Sequence, residues 1–95
     1  MRISEIEKTT IVNAILEQDV DAQIFLFGSR TDDQKKGGDI DILVYSNEIG
    51  LMKIVKIKSS IFKIIPEQKI DLLVTKPNET NHFVDLISTQ LISLL

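Results

Sequence analysis

Phe27-Gly28-Ser29-Arg30, a polar loop, and then Gly38-Asp39-Ile40-Asp41-Ile42 form the stretch on which the fold turns. Gln23 to Phe27 is a short aliphatic and aromatic run that predicts a buried strand, and Gly28 ends it. Ser29 to Gly38 is polar, with Gly37-Gly38 as a turn signal. Asp39 to Tyr45 alternates at first, with Asp39 and Asp41 on one face and Ile40 and Ile42 on the other. It then becomes wholly apolar, as a mostly buried strand does. The link between the two strands is short and mostly polar, which suits an antiparallel pair joined through a short helical turn.

Working outward, Ser4 and Glu7 stand in capping-box spacing and mark a helix start. Ile11, Val12, Ile15 and Leu16 recur at helical spacing and carry that helix to about Asp19. On the other side, Ile49 to Ile65 predicts a second helix. Ile54, Ile57, Ile61 and Ile64 form one stripe, Met52, Val55 and Phe62 a second, and Lys53, Lys56, Ser60 and Lys63 the wet stripe between them. Pro66 closes that helix, Lys69 to Thr75 predicts a third strand, and Pro77-Asn78 a turn. Phe83, Ile87, Leu91 and Leu94 predict a final helix reaching the end of the chain. This order of elements predicts an α/β fold: a small mixed β-sheet packed with helices. The long connection from second to third strand suits a parallel crossover. The chargeless end Leu91-Ile92-Ser93-Leu94-Leu95 either completes the core or presents an apolar patch to a partner. Ile92 and Leu95, lying off the stripe, point to some partner contact.

The 95 residues predict one domain spanning residues 1–95, without room for a separate substrate-binding domain. With 43% apolar and 26% charged residues, the composition is that of an ordinary folded protein. The net charge of −3 argues against a bulk nucleic-acid binder, so no direct nucleic-acid contact is expected. The absence of Cys excludes disulfides and thiolate metal sites. No apolar run exceeds four residues, and Met1 to Lys8 lacks a signal-peptide core, so no membrane is expected and the expected compartment is the cytoplasm.

The chemistry gathers at the opening stretch. Asp39 and Asp41 leave the same face of a strand, roughly 7 Å apart at Cα. Like charges that close repel unless a cation lies between them. Hard oxygen ligands suit Mg²⁺, which leaves its other positions to water and substrate phosphates. Asp71, flanked by apolar residues in Lys69-Ile70-Asp71-Leu72-Leu73-Val74, is depleted in strands by propensity and costly if buried alone. It joins the same site if the third strand lies beside the second. A strand ending in Gly28 and leading into a helical turn exposes N–H groups for an anion, and the Ser29 hydroxyl can donate to a phosphate. Ser29 as the N-cap of a short helix is compatible with that role. Arg30 fits either a phosphate contact or a structural ion pair. Asp32 and Asp33 read as solvated loop acids, His82 as a surface residue and Tyr45 as packing.

Gly28-Ser29, the loop, Asp39-Ile40-Asp41, and Asp71 on a later strand together resemble the nucleotidyltransferase signature of the DNA polymerase beta-like superfamily. The chain is most similar to its minimal nucleotidyltransferase (MNT) branch, whose members are about this size. The resemblance covers nearly the whole chain and implies a nucleotidyltransferase fold with Mg²⁺-dependent transfer of AMP from ATP. It implies Asp39 and Asp41 as the metal-binding pair. Asp71 would be the third carboxylate, serving the second metal or the acceptor's proton. Gly28 and Ser29 would be the phosphate-holding turn, with Arg30 continuing it. It also implies a helical HEPN toxin as partner, with the MNT protein as its antitoxin, in some cases adding AMP to a Tyr of the toxin. Pairing with a second copy of the chain stays open.

The family pattern often continues as Gly-Ser-Arg-Ala-Arg-Gly, whereas here the second Arg position holds Asp32, followed by Asp33. Lys35 and Lys36 can compensate if the loop folds over the phosphates. The rival reading is an antitoxin with weak or absent catalysis that neutralises its HEPN partner by binding. A third, a small-molecule nucleotidyltransferase of the antibiotic-modifying kind, is opposed by the lack of a substrate domain.

Overall fold

In the computed structural model, residues 1–34, 38–65, 69–79 and 81–95 are described. Gly37 of the expected Gly37-Gly38 turn and Pro66, expected to close the second helix, lie outside them. The first helix, α1 (Glu5–Gln18), starts on the capping box read from the sequence. The Glu7 N–H donates to Ser4 Oγ at 3.1 Å, and the Ser4 N–H donates to Glu7 Oε1 at 2.9 Å. Strand β1 (Gln23–Phe27) follows, then a 3₁₀ turn (Gly28–Thr31) and strand β2 (Ile40–Tyr45). Helix α2 (Leu51–Phe62) leads to β3 (Ile70–Thr75) and α3 (His82–Ile87). A second 3₁₀ turn (Ser88–Gln90) precedes β4 (Ile92–Ser93).

The sheet runs β3-β2-β1-β4, with β1 antiparallel to both β2 and β4 and β2 parallel to β3. It is mixed, as expected. Strand alternation sends one set of side chains to each face. One face carries Ile24, Leu26, Ile40, Ile42, Val44 and Ile70, packed under Ile11, Ala14 and Ile15 of α1 and Ile57 and Ile61 of α2. The opposite face carries Phe25, Phe27, Leu43, Tyr45 and Leu73, covered in part by Val84 and Ile87 of α3. Tyr45 packs edge-on against Phe25, with centroids 5.8 Å apart, in the packing role read for it.

Two elements differ from the sequence reading. Helix α2 is shorter than Ile49 to Ile65. Ser46 Oγ accepts the N–H groups of Glu48 and Ile49 at 3.0 and 3.1 Å, forming a turn that delays the helix to Leu51. At its far end the helix stops at Phe62, which leaves Ile64 60% exposed and off the buried stripe. Met52, Val55 and Phe62 also face outward.

The larger difference is at the end of the chain. The final helix stops at Ile87 and does not reach Leu94. Leu91 and Leu94 have helical spacing, yet Ile92 and Leu94 also stand two apart, and the strand period prevails. β4 pairs with β1, and the Leu94 N–H donates to Ile24 O at 2.9 Å. The pairing satisfies backbone groups at an otherwise open edge of β1. Ile92 and Leu94 go to the α1/α2 core, so Ile92 is not part of an outward patch, while Leu95 stays exposed.

Candidate active site

Asp41 is the second residue of β2 and Asp71 the second of β3. The parallel register places them side by side, Asp41 opposite Asp71. Neighbouring strands lie about 4.8 Å apart, which brings the two carboxylates within reach of each other. Asp39 lies two residues before Asp41 and shares its face. Ile40 and Ile70, alternating with these acids, are buried among the α1/α2 residues, so the acids stand on the opposite face of the sheet. Asp39 and Asp41 are half-buried and Asp71 is exposed.

Asp41 carries the electrostatic cost of the arrangement. Its pKa is raised from 3.8 to about 6, first by partial burial, then by the charge of Asp71, a side-chain hydrogen bond with Asp71, and the charge of Asp39. Lys69 opposes the shift. Its Nζ lies 3.3 Å from Asp39 Oδ2, and the pair raises the pKa of Lys69 above the ordinary lysine value. Lys69 went unnoticed in the sequence. The signal was present, because Lys69 precedes Asp71 by two residues as Asp39 precedes Asp41, but the β2/β3 register was needed to set the two pairs opposite each other.

The turn after β1 closes over this edge. Gly28 has φ +78°, and the Asp41 carboxylate occupies the space that a Cβ on Gly28 would need. The close approach made possible by Gly28 is therefore that of Asp41. Gly38 has φ +90° and is approached in the same way by the Ser29 side chain. The N-cap of the 3₁₀ turn is Phe27, so Ser29 is not its cap. The Thr31 hydroxyl donates to Gly28 O at 2.6 Å.

Arg30 Nε donates to Gly38 O at 3.1 Å, and Arg30 Nη1 to Arg2 O at 2.8 Å. Both of these contacts are made to backbone carbonyls. Asp32 is exposed, and its Oδ1 accepts the Gln34 N–H at 2.9 Å. Asp33 is exposed and pairs with the Met1 ammonium. Lys35 and Lys36 lie outside the described residues. His82 is exposed at the start of α3, a surface residue as read.

Hard carboxylate oxygens and a carboxyl pushed up by partial burial and by like charges are surroundings that a divalent cation relieves. The donor chemistry thus fits Mg²⁺. Among the described residues, no three Asp, Glu, His or Cys side chains converge on one point, and Asp39 is paired with Lys69. Lys69 Nζ competes with a cation for Asp39 Oδ2. Among the described residues, no helix is long and apolar enough to cross a membrane.

Comparison with solved structures gives a TM-score of 0.70 to a chain from a rebuilt and re-refined structure of a tri-AMPylated Shewanella oneidensis HEPN toxin in complex with MNT antitoxin. The match covers 98% of this chain and 72% of that one at 17% identity, which establishes a shared fold. No curated protein matches the chain. A family model described as polymerase beta, nucleotidyltransferase, matches residues 9–94, from the first helix through the last strand. The chain belongs to the polymerase beta nucleotidyltransferase family.

Proposed function

We propose that this chain is an MNT-type antitoxin that transfers AMP from ATP to a hydroxyl, a Tyr in the first instance, of a helical HEPN partner in the cytoplasm. The observation that carries the reading is the β2/β3 register. It sets Asp41 beside Asp71, with Asp39 on the same face and Gly28-Ser29 against them, inside a nucleotidyltransferase-family domain. The partner is supported by the similarity to the HEPN toxin–MNT antitoxin structure.

Asp39, Asp41 and Asp71 would hold Mg²⁺, which when bound neutralises phosphate charge and links the carboxylates to the triphosphate. The N–H groups of the Gly28–Thr31 turn and the Ser29 hydroxyl bind the β- and γ-phosphates. Asp71, the exposed member of the trio, accepts the proton of the acceptor hydroxyl. The acceptor oxygen bonds to the α-phosphorus, the bond to the β-phosphate oxygen breaks, and pyrophosphate leaves. Alignment and charge neutralisation supply most of the acceleration in phosphoryl transfer, and the same is expected of nucleotidyl transfer.

A second reading, neutralisation by binding alone, is favoured by two observations. Asp39 is engaged by Lys69, and Asp32 stands where the family pattern has a cation. Exposed apolar residues on α2, with Leu51 at 76% and Met52 at 73%, give binding a surface. Co-expression with the HEPN partner separates the readings. The Asp39→Ala/Asp41→Ala variant is expected to bind the partner yet fail to neutralise it. Full neutralisation by a folded, bound double variant would establish masking.

A further inference from the structure

We infer that Arg2 is a positioning residue for the Gly28–Thr31 turn, holding its geometry for the triphosphate. The inference rests on the nucleotide-binding reading above. A 3₁₀ turn of four residues is weak by itself, and its end is closed by the Asp32 N–H, which donates to Ser29 O at 3.1 Å. Arg2 adds further donors to its carbonyls. Its Nη2 donates to Ser29 O at 2.8 Å and its Nε to Asp32 O at 2.7 Å. Its backbone N–H donates to Arg30 O at 2.7 Å.

Arg30 answers in kind, donating to Arg2 O and to Gly38 O, the carbonyl that immediately precedes Asp39. The two arginines thus tie three separate pieces of chain together: the segment before α1, the phosphate turn, and the approach to β2. This reciprocal arrangement joins the turn to the carboxylate strand at the point where Asp41 and Gly28 are already in close contact. Spreading donors over two carbonyls requires the planar guanidinium, which an ammonium group does not reproduce. With the carbonyls of Ser29, Arg30 and Asp32 occupied, the turn is fixed and its N–H groups are set before any ligand arrives.

The test uses the full chain as wild type, Arg2→Ala and Arg2→Lys, the last keeping charge and stem should the first fail to fold. Three quantities are read: amide exchange at Asp32, whose N–H donates to Ser29 O at 3.1 Å; ATP affinity with Mg²⁺; and Mn²⁺ affinity without nucleotide. Faster Asp32 exchange and ATP binding weakened by about ten- to a hundredfold are expected in both variants, with Mn²⁺ affinity held within about twofold. Unchanged exchange or unchanged ATP affinity in both variants would overturn the role. So would a matching loss of Mn²⁺ and ATP binding, which would make Arg2 a general stabiliser. If wild type binds no ATP while exchange rises in both variants, the nucleotide reading itself fails and Arg2 is reduced to a fold anchor.

Discussion

Strand β2 begins beside one carboxylate system and ends beside another, and the two are built in opposite ways. At its end, Asp19 is buried and supplied with donors. Ser46 Oγ–H reaches Asp19 Oδ2 at 2.5 Å, and the Asp21 N–H reaches Oδ1 at 3.0 Å. Ser46 in turn accepts two backbone N–H groups, so the network is satisfied from end to end. At the start of β2, Asp41 is partly buried and faces Asp71 and Asp39, and burial first and these acids second raise its pKa to about 6. Donors make a buried acid structural; acids gathered against one another store repulsion that a cation can release. The Lys69 ammonium beside the second group is exposed, and its surface pair is worth little.

The contrast is open to attack by mutation, with the largest effect expected at the start of β2. Gly28→Ala puts a methyl group on the Asp41 carboxylate at a backbone angle that L side chains rarely adopt. Nucleotidyl transfer should fall by about a hundredfold or more, because the Asp41 carboxylate and the Gly28–Thr31 turn are displaced together. Retention of activity within about threefold would show that the close packing of Gly28 on Asp41 is not part of the site.

At the other end the effect should be on stability. Asp19→Ala leaves the Ser46 hydroxyl without its acceptor and should cost about 2 kcal/mol, lowering Tm by about 10 °C. Transfer per folded molecule should stay unchanged. A variant that melts like wild type would mean the Asp19–Ser46 network is dispensable.

The smallest effect sharpens the comparison through pH. The folded-state pKa of Asp41 lies above its unfolded value, so the fold favours the neutral carboxyl. Its stability contribution is fully present below about pH 4 and is lost as pH rises through about 6. In metal-free protein, Asp41→Asn should therefore gain stability over wild type as pH climbs through this window, by no more than a few degrees in Tm. Below it the two should melt together. A difference of the opposite sign in metal-free denaturation curves would mean that Asp41 is stabilised as a carboxylate and that the repulsion is not there.

Much of this was legible in the residues. The Ser4/Glu7 capping box, the alternation of Asp39 and Asp41 with Ile40 and Ile42, and the length of the β2-to-β3 connection depend on local pattern, and each fixes an element or a direction. Asp71 stood out because an acid inside an apolar strand needs a reason. The rest depended on contacts distant in sequence. Lys69 acquires its partner only through the parallel register, and Arg2 only through the return of the chain to the turn after β1. Gly28 was read for a phosphate, while the side chain pressed against it is Asp41. At the end of the chain Leu91 and Leu94 match a helix, while Ile92 and Leu94 match a strand. An open edge of β1 decided between them.

On the proposed function, the acids at the start of β2 and β3 serve transfer of a nucleotide and not of a single phosphate. Incubation with Mg²⁺, the HEPN partner and ATP labelled at either the α- or the γ-phosphorus tests it directly. The expected result is α-label on the partner and γ-label in released pyrophosphate, both lost in the folded Asp39→Ala/Asp41→Ala variant. Label on the partner from the γ-position, or equal α-labelling by wild type and the double variant, would contradict it.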